Sequence, residues 1–307
     1  MSYFRKGDCL TVGGDRIVID EFLSSGMQAD VYRVIDVDRG KHGKHMVIKH
    51  LYGDYCNNKK LFFNKVKILS THPAPHARLI WPQGVSAFDE KTDSFVYLME
   101  EVPEEYEPIA LIMKHQNRLT AEQKIQVCIQ MAEVFSSLGS NGFIYSDISG
   151  TNIRYGIDSN GRTDVRVIDC DNVSLRGESL GVAGSGLFRA PEVILGCSAP
   201  TEFSDAYALT VAIFRILTGS HPLDGIYTHR QPLTPELVQE YFGKTPEYIF
   251  SEGTKNGPTE EYYRERFEHL PPQLQLYFNV MFSKESLHHP EKRPTAQMLL
   301  TILQRFC

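Results

Sequence analysis

Residues 147–152 constrain this chain more than any other segment, because Asp147 and Asn152 stand at the two ends of one short turn. A long run with apolar residues at helical spacing, residues 125–138, precedes the turn. Residues 166–169 follow it and form an apolar strand pattern that ends in a second carboxylate, Asp169. Two carboxylates and an amide suit the task of holding a hydroxyl and a metal ion against a transferring phosphoryl group. The spacing therefore predicts a phosphoryl-transfer site.

The composition indicates a globular protein and excludes several other classes. The 307 residues are 42% hydrophobic and 23% charged, which leaves room for two modest domains or one fold in two lobes. The net charge of −6 and the absence of a long basic tract argue against a nucleic-acid-binding surface. No signal-peptide pattern opens the chain, and its longest apolar run, residues 207–217, is too short to cross a bilayer. The six cysteines form no C-x-x-C pair, so we expect free thiols and a cytoplasmic location, with neither membrane nor nucleic acid as a partner.

The first third of the chain has the pattern of an antiparallel sheet. Residues 10–12 and 16–23 flank a pair of glycines and predict a hairpin. Residues 24–33 form a small-residue turn around Gly26 that returns into a strand, and residues 46–49 form an apolar strand that ends in Lys49. The turn around Gly26 is as typical of an ordinary hairpin as of a phosphate-binding loop.

A helix and two more strands are predicted before the first acidic, proline-bounded segment. Residues 57–69 predict a helix with Asn57 as its N-cap. Residues 79–82 and 94–102 predict the two strands. Residues 103–108 predict a boundary, after which a capping box at Thr120 opens the next helix.

Three further motifs follow the loop at residues 147–152. Residues 184–192 end in Ala-Pro-Glu, residues 204–222 open with Ser-Asp and close with Thr-Gly-x-x-Pro, and residues 289–294 contain Arg293. With the strand lysine and the two aspartate motifs, they stand in the order found in the protein-kinase superfamily, which this chain resembles. The resemblance implies an α+β, bilobal fold. Residues 1–102 would form an N-lobe with a small antiparallel β-sheet and one main helix, and residues 103–307 a larger, mostly helical C-lobe, together one domain.

The resemblance also implies roles for individual residues. Asp147 would act as the catalytic base on a substrate hydroxyl, and Asn152 and Asp169 would hold Mg²⁺ or Mn²⁺. Lys49 would bind the α- and β-phosphates of ATP, and Gly26 would let the backbone approach them. The adenine would lie against Val31, Met99 and the segment from Glu100 to Val102. Asp205 would anchor the catalytic-loop backbone, and Glu192 and Arg293 would form a structural ion pair.

Finer features are similar to a group of bacterial cytosolic kinases of the eukaryotic type. Asp169-Cys170-Asp171 stands in place of Asp-Phe-Gly, and residues 79–82 and 248–250 also resemble that group. This resemblance implies a protein substrate and a regulatory protein partner.

Several positions depart from the kinase pattern. The predicted helix contains no glutamate to pair with Lys49, whose candidate partners are Asp169, Asp54 or a residue from elsewhere. Asp171 stands where glycine is expected, as an extra metal ligand or as a residue that stiffens the segment. Ser146 and Ser149 replace an arginine and a lysine that are common in the catalytic loop.

Three hypotheses follow. The first is a protein serine/threonine kinase that uses ATP and Mg²⁺, because Lys49, Asp147, Asn152 and Asp169 are all present. The second is a pseudokinase that binds nucleotide and acts as a scaffold or allosteric regulator, because the helix glutamate is absent and the glycine loop is degenerate. The third keeps the fold but phosphorylates a small molecule or transfers a different part of ATP.

Overall fold

The strands of the sheet at the start of the chain follow from alternating apolar residues. The computed structural model describes residues 3–26, 29–36, 45–52, 58–114, 119–178, 184–229 and 232–306. The suggested lysine partner Asp54 and the suggested cap Asn57 lie outside these ranges. The chain divides into two compact units. Unit 1 comprises Met1–Glu104 and Ile168–Asp171, and unit 2 comprises Glu105–Val167 and Asn172–Cys307.

Unit 1 is built on one six-stranded antiparallel sheet with the order β1-β2-β3-β4-β6-β5. Its strands are β1 Cys9–Val12, β2 Asp15–Ser25, β3 Ala29–Asp36, β4 Met46–Leu51, β5 Gly84–Val85 and β6 Phe95–Glu100. The hairpin predicted around Gly13 and Gly14 is confirmed as β1 and β2. Gly13 has a positive φ of 61°, and a Cβ there would lie 2.9 Å from the Cα of Gly84, so the turn requires glycine.

The alternation of β4 places Lys49 on an apolar face of the sheet. Successive side chains of a strand point to opposite faces, so Val47, Lys49 and Leu51 share one face. Val47 and Leu51 pack there in a buried cluster with Tyr97 and Met99 of β6. Ile48 contributes instead to a separate cluster on the other face. The lysine is therefore surrounded by apolar groups and needs a counter-charge.

Helix α1, Lys59–Thr71, covers that face. Its N-cap is Asn58, whose side chain accepts a hydrogen bond from the Leu61 amide, so the predicted Asn57 cap was wrong by one residue. Phe62 and Val66 of α1 lie in the same cluster as Val47. The Trp81 indole donates to the carbonyl oxygens of Leu69 and His72 and fixes the end of the helix.

Unit 2 is mostly helical. Its helices are α2 Ala110–Met113, α3 Ala121–Ser140, α4 Pro191–Ile194, α5 Glu202–Thr218, α6 Pro235–Val238, α7 Glu261–Glu268, α8 Pro272–Met281, α9 Lys284–His288 and α10 Ala296–Leu303. Its short strands are β7 Glu107–Pro108, β8 Phe143–Ile144, β9 Ile153–Ile157, β10 Thr163–Val167 and β11 Ser174–Leu175. Sheet in unit 1 and helix in unit 2 confirm the predicted α+β class. None of the helices in the described residues is long and apolar enough to cross a membrane.

The two long helices of unit 2 begin at capping boxes. Thr120 caps α3 by accepting from the Gln123 amide, while the Gln123 side chain accepts from the Thr120 amide, as predicted. Thr201 and Ser204 form the same arrangement at α5. Helix α5 is buried on nearly every side, and Gly219 ends it in a left-handed conformation.

Two predictions from the sequence were wrong. No strand covers residues 80–82, since β5 begins at Gly84. Residues 234–243 have the pattern of one short helix with Thr234 as N-cap and Gly243 as its stop, but a π-helical turn, Gln239–Lys244, passes through Gly243. A Cβ at Gly243 would lie 2.8 Å from the Leu195 side chain, so close packing explains this glycine.

The predicted ion pair between Glu192 and Arg293 is confirmed. The two terminal guanidinium nitrogens of Arg293 donate to the two carboxylate oxygens of Glu192 at 2.7 Å. The Arg293 side chain is fully buried, and its Nε donates to the Ser286 carbonyl. The pair joins α4, at the end of the Ala-Pro-Glu motif, to the segment before α10.

Replacing Glu192 by glutamine should destabilise the protein strongly, because it leaves a buried arginine without its counter-charge. We expect Glu192→Gln to lower the free energy of unfolding by about 3–5 kcal/mol in urea denaturation. Glu240→Gln is the matched control, because Glu240 pairs with Lys244 on the surface. The control should lose less than about 1 kcal/mol. Equal losses in the two variants would contradict a structural role for the buried pair.

Candidate active site

The site residues of unit 1 centre on Lys49. Its ammonium lies 3.0 Å from Oδ1 of Asp169 and 3.0 Å from Oδ2 of Asp171. Burial by itself lowers the pKa of Lys49, but the charges of Asp171 and Asp169 outweigh burial and raise it overall. The lysine is therefore a cation at neutral pH. Of the candidate partners drawn from the sequence, the structure places Asp169 beside Lys49 and adds Asp171.

The two carboxylates differ in exposure. The side chain of Asp169 is 35% exposed, whereas that of Asp171 is 3% exposed. Asp169 has a positive φ of 56°, which is unusual for a residue with a side chain and is frequent at functional sites. Ile168 packs against the cluster beneath the sheet, and Cys170 is almost fully buried. The segment Ile168–Asp171 is thus held to unit 1 by apolar contacts and by Lys49 together.

The residues predicted to contact adenine also lie in unit 1. Val31 stands opposite Lys49 in the ladder of β3 and β4 and packs against the same apolar cluster. Met99 is buried in β6, Glu100 ends that strand, and Val102 follows at the edge of the cluster. They line the same side of the sheet as the lysine or lie at its end.

Gly26 closes the turn between β2 and β3. Its amide donates to the Ala29 carbonyl at 2.8 Å, while residues 27 and 28 lie outside the described part of the chain. A Cβ at Gly26 would meet only the Ala29 carbonyl, at an ordinary 3.5 Å. No crowding within the described residues therefore demands glycine here. The position remains suited to close approach of a ligand to the backbone.

The site residues of unit 2 are Asp147 and Asn152. The Asn152 amide group donates to the Asp147 carbonyl at 3.0 Å and to Oδ2 of its carboxylate at 2.9 Å. The Asn152 backbone amide in turn donates to the hydroxyl of Ser149. These local bonds hold the carboxylate of Asp147 in one orientation.

Asp205 fixes the backbone that leads into this loop. Its carboxylate accepts from the amides of Tyr145 at 2.6 Å and Ser146 at 3.0 Å, which confirms the predicted anchoring role. Burial raises the pKa of Asp205 to about 7, while the two amide donors act in the opposite direction. Ser146 has a positive φ of 70°, and a Cβ at Gly184 would lie 2.7 Å from its carbonyl oxygen. Strained backbone therefore precedes Asp147 directly.

A serine of the same unit occupies the open side of Asp147. The Ser185 hydroxyl donates to Oδ1 of Asp147 at 2.6 Å. One carboxylate oxygen is therefore oriented by an amide and the other is bonded to a hydroxyl. A carboxylate with this arrangement can hold a hydroxyl and accept its proton.

Each unit, taken by itself, carries an oxygen donor of a type that Mg²⁺ accepts, the Asp169 carboxylate in unit 1 and the Asn152 amide in unit 2. Within the described ranges, no group of three or more His, Cys, Asp and Glu side chains could hold a metal ion. Mg²⁺ in phosphoryl-transfer sites needs only one or two protein oxygens, with phosphates and water completing its shell. The half-exposed carboxylate of Asp169 and the amide oxygen of Asn152 are donors of this kind.

The chain belongs to the protein kinase family. The model of the protein kinase domain matches residues 17–302, which is most of the chain. This match confirms the resemblance drawn from the motifs, and it agrees with the antiparallel sheet of unit 1 and the helices of unit 2.

Among curated proteins the chain is similar to kinases from eukaryotes and bacteria. It is 27% identical over 295 residues to a probable serine/threonine-protein kinase of Dictyostelium discoideum, covering 94% of this chain and 15% of that protein. It is 26% identical over 215 residues to the serine/threonine-protein kinase PrkC of Bacillus subtilis, covering 68% of this chain and 31% of that protein. It is 24% identical over 217 residues to a probable serine/threonine-protein kinase of Clostridium acetobutylicum, covering 70% and 32%. The chain therefore spans less than a third of the length of each of these relatives.

His221 stabilises the segment that carries Ser185, and sequence reasoning had missed it. Its Nδ1 accepts from the Leu223 amide, so the ring proton lies on Nε2, which donates to the Leu187 carbonyl at 3.0 Å. Burial, followed by the nearby charge of Arg215, lowers the pKa of His221 to about 4. The ring is neutral in the folded protein at physiological pH.

Acidification should therefore destabilise the fold through His221. The unfolded histidine titrates near pH 6.5, so the unfolded state binds more protons between about pH 6.5 and 4, and stability falls as the pH drops through this window. We expect His221 to account for a loss of about 2 kcal/mol between pH 7 and 5, measured by urea denaturation. His221→Gln should show a smaller loss over this range, whereas the surface variant His229→Gln should behave as the parent does. An unchanged pH dependence in His221→Gln would contradict this assignment.

Proposed function

We propose that this chain transfers the γ-phosphoryl group of ATP to serine or threonine hydroxyls of a protein. The observation that carries the proposal is the serine hydroxyl bonded to Asp147 at 2.6 Å, with Asn152 holding the other carboxylate oxygen. A seryl hydroxyl on the carboxylate is the arrangement that a substrate hydroxyl needs for proton transfer. The serine/threonine kinases among the similar proteins also support this choice of acceptor.

In the proposed reaction the acceptor oxygen forms a bond to the γ-phosphorus while the bond from that phosphorus to the bridging oxygen breaks. Asp147 orients the acceptor hydroxyl and takes its proton, and ADP departs with the bridging oxygen. Lys49 binds the α- and β-phosphates as a cation, and Gly26 leaves room for them. Asn152 and Asp169 would hold Mg²⁺ or Mn²⁺, which neutralises charge that develops on the phosphate oxygens. Val31, Met99, Glu100 and Val102 would bind the adenine.

The alternative is a nucleotide-binding protein without transfer activity, acting as a scaffold or allosteric regulator. One observation favours it, because Asp169, the proposed metal ligand, already pairs with Lys49. A regulatory protein partner and a cytoplasmic location remain predictions from the sequence.

Removing the charge of Asp147 should slow phosphoryl transfer strongly and leave nucleotide binding intact. We expect Asp147→Asn to lower the rate of label transfer from γ-labelled ATP by about 10²–10⁴-fold, since a general base contributes that much. The assay would offer Mg²⁺ or Mn²⁺, with the chain itself and a generic basic protein as acceptors. Binding of ATP would be followed in parallel as the rise in melting temperature.

Asp158→Asn is the matched control, because Asp158 is an exposed turn aspartate that accepts hydrogen bonds from nearby amides. It should transfer label at the parental rate. Equal transfer by Asp147→Asn and the parent would refute the role of Asp147. No transfer by any variant, with ATP still raising the melting temperature, would favour the scaffold.

A further inference from the structure

Asp171 is the most deeply buried carboxylate among the site residues of unit 1. Its side chain is 3% exposed, and its Oδ2 lies 3.0 Å from the Lys49 ammonium. Its Oδ1 is buried as well. The buried hydroxyl of Tyr97 faces Lys49 across the β4–β6 ladder and lies close to Asp171, so that burial and then the charge of this carboxylate raise the pKa of Tyr97 well above its ordinary value. Lys49 is therefore the one cation that the described structure places on the carboxylate of Asp171.

Helix α1 offers Lys49 no counter-charge. It contains no carboxylate, and the ionisable side chain on its buried face is a lysine, Lys65. The Lys65 ammonium lies 4.8 Å from the centre of the Phe62 ring. Because Lys65 is itself a cation, it cannot stabilise the charge of Lys49. Among the described residues, the counter-charge of Lys49 comes from the segment Ile168–Asp171.

The two carboxylates of that segment are suited to different tasks. Asp169 is partly exposed and can exchange its bond to Lys49 for a metal ion, as metal ligands in phosphoryl-transfer sites do. Asp171 is too buried to do the same without losing its place in the packed segment. An ammonium has three N–H donors, so Lys49 can keep Asp171 and still donate to phosphates.

We propose that Asp171 is a positioning residue that holds Lys49 in place for the nucleotide, which leaves Asp169 available to the metal ion. The proposal rests on the proposed function for the role of Lys49. The positioning role replaces the two interpretations drawn from the sequence, in which Asp171 is a metal ligand or only stiffens its segment. In this protein the orientation of the phosphate-binding lysine is independent of any acid on α1.

The melting temperatures of single and double variants, measured without nucleotide, test the pairing of Lys49 with Asp171. Lys49→Met leaves Asp171 buried without a counter-charge and should lower the melting temperature by at least about 5 °C. Adding Asp171→Asn to Lys49→Met should recover most of that loss, because it removes the orphaned charge. Asp169→Asn is the matched control in the same background. Adding Asp169→Asn to Lys49→Met should recover little of the lost melting temperature, because water can solvate the partly exposed Asp169.

Metal dependence and turnover test the positioning role. Calorimetry would measure the Mg²⁺ concentration that nucleotide binding requires. Asp169→Asn should raise this concentration, whereas Asp171→Asn should leave it unchanged. At saturating ATP and Mg²⁺, and well below its melting temperature, Asp171→Asn should lower kcat by about 100-fold, as a misplaced catalytic group does. Packing alone would not produce that loss.

Each competing account has a distinct outcome. A raised Mg²⁺ requirement in Asp171→Asn would identify a metal ligand and overturn the proposal. A Lys49→Met, Asp171→Asn protein no more stable than Lys49→Met alone would overturn the pairing. If the parent transfers no phosphate, the proposed function fails, yet the melting cycle still decides whether Asp171 holds Lys49.

Discussion

The charge of Lys49 on an otherwise apolar face of the sheet is the constraint on which much of unit 1 depends. The alternation of β4 places this side chain among Val47, Leu51 and the residues of α1. An isolated ammonium in such surroundings would be very costly. Asp169 and Asp171 remove that cost, and their positions require the chain to bring Ile168–Asp171 to the sheet. The left-handed backbone of Asp169 and the burial of Cys170 are parts of the same arrangement.

In unit 2, buried polar and charged side chains fix the conformation of loops. The residues of unit 2 that we propose to be functional lie on loops, where no ladder of backbone hydrogen bonds fixes the chain. Buried polar and charged side chains fix it instead, since Asp205 accepts from two amides before residues 147–152 and Arg293 holds Glu192 at the end of the Ala-Pro-Glu motif. Asp147 is therefore oriented by side chains that do no chemistry themselves. The strain at Ser146 is tolerated because Asp205 accepts hydrogen bonds from the amides of Ser146 and of the preceding Tyr145.

Membership of the protein kinase family makes the departures in this chain informative. The helix that covers the sheet presents Lys65 on its buried face, so the lysine of β4 must be neutralised from another part of the chain. Two acids in one short segment can divide the work by exposure, with the accessible one free to meet a metal ion and the buried one kept for the lysine. The seryl hydroxyl bonded to Asp147 is the observation on which we base the proposal of a serine or threonine acceptor.

The sequence by itself determined the elements and the local contacts of this protein. Alternating residues predicted the strands, Thr120 and Gln123 predicted the start of α3, and Asp147 and Asn152 are close enough along the chain for their bond to follow from spacing. Such features depend on neighbouring residues alone. The tertiary structure decided the rest, because Lys49 meets its acids 120 and 122 residues later and Gly243 is explained by contact with Leu195. Burial separates the roles that we propose for Asp169 and Asp171, and burial is a property of the packed chain that no local pattern contains.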